Sequence, residues 1–339
     1  MPSKNTPVSI AAVAMHAGVS VATVSRVMND LDGVRPVTRD KVLASVTALG
    51  YRMNHLARNL RTAASRLLLT MVPDVGNPFY SEIVRGIDSV AREHGYFVML
   101  CDTGADEGRE SAYFDLLRTH RADGAICLDP DTVQHALAND LAHESNVLPW
   151  VACCEFDPAI AVPYVGVDNY RAAGDAVRHL IERGHTRIGL INSDQRYRYA
   201  RERQRGYLDA MRAAGLPIHP EWRQLVESLD YDAGKRAALQ MMAQPEAPSA
   251  IFAVSDTLAI GALSAMRQLN KRVPEEVAVV GFDDIAIAAQ TWPPLSTIAQ
   301  PMRLLGETAA QLLLQRLADP EATVQGVLLD HHLVQRESS

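Results

Sequence analysis

The sequence predicts an α/β protein in two unlike parts: a small helical head, then a large two-lobed body built on parallel sheets. Three observations predict it. Residues 10–29 carry a helix-turn-helix pattern, the net charge changes sign after residue 66, and from Leu67 onward short apolar runs alternate with amphipathic stretches. At 339 residues and 47% hydrophobic content, the chain can bury a large core and is long enough for more than one domain.

In the head, Ile10, Val13 and Ala14 give one helix an apolar face. Gly18 supplies the tight turn after it, since glycine takes a positive φ at little steric cost. Ser20 sits where an N-cap belongs, accepting a bond from a free amide of the next turn. Val24, Val27 and Met28 form the buried stripe of a second helix, whose other face presents Val21, Ala22, Ser25 and Arg26. Small residues, hydroxyls and one cation suit a helix that enters a major groove, with hydroxyls for phosphates and a guanidinium fork for a guanine edge. Pro36 favours the start of a third helix, which Val42, Val46 and Leu49 carry as far as Gly50.

Charge separates this head from the rest of the chain. Residues 1–66 hold nine Lys and Arg against three Asp, a net +6; the whole chain is −7, which leaves −13 for residues 67–339. A basic head on an acidic body fits a polyanion-binding head whose body does not adhere to the same polyanion. Between them, residues 54–61 allow only about two helical turns, too few to be stable alone in water, so the segment reads as a linker that folds when docked.

The body's apolar runs of strand length are Leu67–Val72, Tyr96–Cys101, Gly124–Leu128, Trp150–Cys154, Val165–Val167, Arg187–Ile191, Ile251–Val254 and Val277–Phe282. Amphipathic stretches lie between most of them, one with Ile83, Ile87 and Val90, another with Ala176, Val177 and Leu180, a third with Ile260, Leu263 and Met266. That is a βα repeat on buried parallel strands. There are too many units for one open sheet, so two lobes with a cleft between them are expected.

Ligands of parallel sheets bind beyond the carboxyl ends of the strands. Those ends carry Asp74, Asp102, Asp129, Glu155, Asp168, Asp256 and Asp283. A carboxylate accepts from two adjacent hydroxyls, which suits a polyhydroxylated ligand. Asp168 and Asp256 directly precede helices and read as N-caps; Asp283 precedes no clear helix and is the better ligand candidate. No dinucleotide-binding glycine pattern, P-loop, nucleophile elbow or His/carboxylate metal set occurs, so neither catalysis nor a cofactor nor a metal is expected. Cys101, Cys127, Cys153 and Cys154 lack metal spacing and read as buried thiols of a reducing cytosol. The start has no apolar signal region and no later run is long enough to cross a bilayer, so a cytoplasmic protein without membrane contact is expected. A polar cleft without catalytic groups, joined to a DNA-binding head, describes a small-molecule sensor.

Particular motifs carry a resemblance. They are Gly18-Val-Ser-Val-Ala-Thr-Val-Ser-Arg-Val27, Asn77-Pro-Phe-Tyr-Ser-Glu-Ile83, Arg183-Gly-His-Thr-Arg-Ile-Gly189, Arg203-Gln-Arg-Gly-Tyr207, Val279-Val-Gly-Phe-Asp283 and Pro294-Leu-Ser-Thr-Ile298. Over essentially its whole length the chain resembles the lactose/galactose repressor family. Within it, Val72 to Gly86, Glu155 to Pro158 and Thr297 to Pro301 are most similar to the cytidine-responsive branch.

The resemblance implies a periplasmic-binding-protein-like body and a transcriptional repressor that binds palindromic double-stranded operator DNA as a homodimer. A small sugar-like or nucleoside effector would control it allosterically. Val21, Ala22 and Arg26 would face base edges; Thr23, Ser25 and Asn29 would hold phosphates, with Ser20 beside them at the DNA. Asn54 and Ala57 would lie on a hinge helix, and Leu60 would wedge into the minor groove. Phe79, Tyr80, Arg203, Leu229, Ser255 and Asp283 match positions lining the effector cleft. Cys154 stands where the family has a ligand acid, so a contact there would come from Glu155, the candidate, or from elsewhere.

The implied domains are 1–52 for the DNA-binding head, 53–66 for hinge helix and linker, and 67–339 for effector binding and dimerisation. The lobes would comprise 67–161 with 294–322, and 164–292 with 326–339, joined by crossings near 161–164, 292–295 and 322–326. The chain stops soon after Arg336 without the heptad tail of tetrameric members, so a dimer is expected. Three positions depart from the pattern: Ala12 replaces an Asp, Met53 a Pro before the hinge, and Arg35 a small residue capping the third helix.

Overall fold

The computed structural model describes residues 8–28, 32–51, 64–128, 148–158, 162–320 and 326–339, which divide into two compact units after Ala64. Asn29, Met53, Asn54, Ala57, Leu60 and Asp129 lie outside the described residues. No helix among the described residues is long and apolar enough to cross a membrane.

The first unit holds α1 (Ile10–Ala17), α2 (Val21–Met28) and α3 (Pro36–Leu49). Ser9 caps α1 by accepting from Ala12 N–H at 3.2 Å, and Gly18 ends it at φ 64°. Ser20 Oγ accepts from Thr23 N–H at 3.1 Å, the cap that the sequence predicts, and α2 opens after the three residues Gly18 to Ser20. Val13, Ala14, Ala17, Val24, Val27 and Val42 close one small core among the three helices. Arg35 precedes α3 without a side-chain cap bond; Pro36 at its first turn and Gly50 at φ 61° fix the two ends instead.

The second unit contains two six-stranded sheets. The first consists of β1 (Leu67–Val72), β2 (Phe97–Asp102), β3 (Gly124–Cys127), β4 (Trp150–Cys153), β5 (Tyr164–Val167) and β11 (Val327–Leu329), all parallel, in the order β11-β5-β4-β3-β1-β2. The second consists of β6 (Ile188–Asn192), β7 (Arg223–Leu225), β8 (Ala250–Ala253), β9 (Ala278–Asp283), β10 (Ser296–Ala299) and β12 (His332–Val334), ordered β12-β10-β9-β8-β6-β7. Only β12 among its strands runs antiparallel to its neighbour.

Helices α4 (Pro78–Glu93), α5 (Glu107–Arg118) and α10 (Met302–Ala318) belong to the first lobe; α6 (Asn169–Glu182), α7 (Arg198–Ala213), α8 (Tyr231–Met242) and α9 (Asp256–Gln268) belong to the second. Central strands are buried on both faces, so they read as continuous apolar runs rather than alternating ones. Helices α4 and α10 touch through Gly86 and Gly306: a Cβ on Gly306 would stand 2.0 Å from Ile83 O.

The lobe crossings correct the expected ones by several residues. Tyr164–Val167 pairs with β4 in the first sheet, and the chain crosses only at Asp168, whose carboxylate caps α6. The turn at Trp292–Pro294 looks like a crossing in sequence, but it returns the chain within the second lobe to lay β10 beside β9. The second crossing is Gln300–Pro301. Likewise β11 joins β5 in the first sheet, and the third crossing is Asp330–His331. Backbone pairing, which decides the lobe, is not visible in the proline and polar residues that suggest a crossing in sequence.

Candidate functional site

The two lobes enclose a cleft of about 350 Å³ at the carboxyl ends of their strands. Each of the residues predicted for a ligand (Phe79, Tyr80, Glu155, Arg203, Leu229, Ser255 and Asp283) lines it. Asn77 starts α4 by accepting from Phe79 N–H at 3.0 Å, which turns Phe79 and Tyr80 to the cleft from the first lobe. Their rings meet edge to face at 5.2 Å. From the second lobe come Tyr197 and Tyr199, stacked at 5.5 Å. A further hollow of about 450 Å³ lies between α6 and α7, and none of the predicted residues reaches it.

Arg203 and Asp283 form the polar floor. Both are buried in one lobe, so they are not the surface pair their sequence positions also allow. Arg203 donates from Nε to Asn169 Oδ1 at 2.9 Å and from Nη1 to the carbonyl of Val254, with its guanidinium 3.5 Å from the Phe282 ring centroid. A guanidinium so held costs little further entropy when it meets a ligand.

Asp283 ends β9 with φ at 118°, a strained value for a residue with a side chain, and accepts from Gln300 Nε2 at 2.7 Å. Burial pushes its carboxyl up to about 7, against the pull of Arg203 and the Gln300 bond. Behind it, Asp256 accepts from Thr297 Oγ1 at 2.6 Å and from Ile285 N–H at 2.9 Å; burial and the charge of Asp283 raise it well above the usual carboxylate range. The two carboxyls share one desolvated pocket and do not both ionise readily.

The remaining strand-end acids divide by role. Asp168 caps α6, as expected. Asp256 is not a cap: Ser255 caps α9, accepting from Leu258 N–H at 3.3 Å, and Asp256 instead ties β10 to the loop after β9. Asp102 serves its own turn, accepting from Gly104 N–H at 3.1 Å. Asp74 lines the cleft.

Glu155 lines the cleft too, but its oxygens are engaged. Oε1 accepts from Arg198 N–H at 2.8 Å and Oε2 from Tyr199 N–H at 3.0 Å, so a first-lobe carboxylate holds the first turn of a second-lobe helix. Cys154, at φ 71°, also faces the cleft, its Sγ 3.6 Å from that of Cys153. The bond with Cys153, then burial, raises the Cys154 thiol well above its ordinary value.

Sequence reasoning missed Tyr197, Tyr199, Arg196 and Gln300 as lining residues. The first three were legible as an aromatic and basic run leading into Arg203; Gln300 lies in the Thr297 to Pro301 run that carries the resemblance, but its reach depends on where the chain crosses.

In the head, Val21, Ala22 and Arg26 lie on the exposed face of α2, opposite the buried Val24 and Val27. Ser20 and Thr23 join hydroxyls at 2.9 Å at its start. Ser25 is half-buried on the same helix.

Comparison with known proteins agrees with this arrangement. Residues 9–54 match the model for bacterial regulatory proteins of the lacI family, and residues 177–339 match that for a periplasmic binding protein-like domain. The HTH-type transcriptional repressor CytR of Escherichia coli (strain K12) is 36% identical over 327 residues, covering 96% of this chain and 95% of the relative. The ribose operon repressor of the same strain is 35% identical over 328 residues, covering 96% and 98%. Among solved structures, the lac repressor dimer bound to operator and the anti-inducer ONPF has a TM-score of 0.85 at 28% identity, covering 98% of this chain and 99% of that one.

Proposed function

The chain belongs to the lacI family of bacterial regulatory proteins, a family of transcriptional repressors rather than enzymes, and from that premise we propose that it binds its operator as a homodimer under control of a nucleoside. The cleft carries this reading. Aromatic rings reach it from both lobes (Phe79 and Tyr80 on one side, Tyr197 and Tyr199 on the other), which suits a flat base. Arg203 and Asp283, a charged donor and a charged acceptor on its floor, suit a sugar diol; charge-assisted bonds of this kind contribute roughly 1.5–3 kcal/mol each. Leu229 and Ser255 complete the second-lobe wall, and Glu155 the first. The relationship to the ribose operon repressor fits a ribose-bearing ligand.

On the DNA side, the proposed base readers are Val21, Ala22 and Arg26, with Ser20, Thr23, Ser25 and Asn29 at phosphates and Asn54, Ala57 and Leu60 at the hinge. The protein would act in the cytoplasm. Control arises by linkage. A ligand that prefers one cleft geometry shifts operator affinity, and operator shifts ligand affinity equally, typically by about 1–3 kcal/mol.

Calorimetric titration with cytidine, adenosine, ribose and hexoses tests the ligand class: nucleoside binding is expected, and a hexose binding where no nucleoside does would overturn it. Deleting residues 1–62 should abolish operator binding and leave ligand binding intact.

A further inference from the structure

We propose that Glu155 is the cleft's built-in anion: it fills the amide-rich end of α7 and so restricts the cleft to uncharged ligands, rejecting their phosphorylated forms. The inference rests on the cleft being the ligand site. Helix α7 spans 16 residues, and its first turn opens toward the cleft that Tyr197 and Tyr199 line. A helix start of that length offers free N–H groups and a partial positive charge of about one half, a natural seat for phosphate. Arg196 and Arg203 line the same cleft, so the ingredients for binding a phosphorylated ligand are present.

What occupies the seat is a carboxylate. Both oxygens of Glu155 take the amides of Arg198 and Tyr199, and the residue is buried, 6% exposed. The helix has no side-chain cap of its own: Tyr197 at the N-cap makes no such bond. Every other body helix of the second lobe is capped from the adjoining chain, α6 by Asp168, α8 by Asp230 and α9 by Ser255. Only α7 among them receives its cap from the opposite lobe. An incoming phosphate would have to displace Glu155 and would then share the cleft with Asp74 and Glu227, which also line it. Like charges in a cleft sheltered from solvent oppose binding. An uncharged ligand meets neither obstacle.

The test uses full-length protein, Glu155→Ala and Glu155→Gln, with inorganic phosphate as probe and chloride at matched ionic strength as control. Thermal midpoints of wild type should not respond to phosphate beyond chloride. Glu155→Ala should gain a saturable, phosphate-specific rise, and Glu155→Gln, which keeps the size but loses the charge, a smaller one. On wild type, cytidine 5′-monophosphate should bind at least tenfold more weakly than cytidine. The proposal is overturned if phosphate stabilises wild type as much as Glu155→Ala, or if neither variant, each shown folded by circular dichroism, gains a phosphate response. Should Glu155→Ala fail to fold, the glutamine variant decides alone. If wild type binds no nucleoside, the ligand-class reading falls, and the phosphate comparison still decides the role of Glu155.

Discussion

Asp283 has two jobs that pull its ionisation in opposite directions. Its burial raises the carboxyl from the ordinary 3.8 to about 7, so between those values the folded protein holds a proton that the unfolded chain has released. This group therefore favours the folded state below pH 4 and withdraws that advantage as pH rises through about 7. A ligand diol donates to the ionised form, so ligand affinity should rise between pH 6 and pH 8, with protons released on binding. Calorimetry in two buffers of different ionisation enthalpy measures that release; proton uptake would contradict it. Asp283→Asn should weaken ligand binding about tenfold, erase the pH dependence and leave operator affinity without ligand nearly intact. In the head, Arg26→Ala should cost about 1–3 kcal/mol on operator and much less on random DNA, by fluorescence anisotropy, because a bidentate guanine contact is lost. At this scale the cleft floor was readable in part: Asp283 stands at a strand end, where parallel sheets bind ligands, whereas Arg203 lies within α7 and was pointed to only by the family motif. Which oxygen meets which amide was not, since Glu155 finds its partners on a helix some forty residues later.

Elements were legible where their burial is uniform and obscure where it is not. Strands β1, β3 and β9 are continuous apolar runs enclosed on both faces, and the sequence marks them within a residue or two. Strands β7, β11 and β12 have three residues each and half-exposed side chains, so hydrophobic pattern cannot reveal them. Strand β10 is fully buried yet begins Ser296-Thr297; its hydroxyls, satisfied by Arg336 N–H and Asp256, disguise a core strand as a polar loop. Helix crossings are similarly silent until glycines are placed. Gly306→Ala would drive a methyl onto the carbonyl of Ile83. Overpacking of this kind costs typically about 1–3 kcal/mol, and denaturant unfolding should show at least that loss while Gly95→Ala, with open space around its Cβ but φ at 73°, should show only the smaller cost of its backbone.

The whole molecule joins a +6 segment to a −13 one, so its affinity for DNA should fall steeply with salt, by about 0.9 in the logarithmic slope for each phosphate engaged. The three crossings bear on how the chain is made. The first sheet has strands from residues 67–167 but takes its last edge from Val327–Leu329, after every strand of the second sheet except β12 has been made. On the ribosome, β5 therefore emerges with a bare flank, and the chain between Val167 and Val327 must be made before the strand that covers it. A stalled or clipped chain lacking that segment leaves a row of unpaired amides and carbonyls beside Val165–Val167, the kind of edge that recruits foreign strands. Nascent-chain release at residue 320 should yield a protease-sensitive, chaperone-bound first lobe, and resistance should appear only once residues 327–329 have left the exit tunnel.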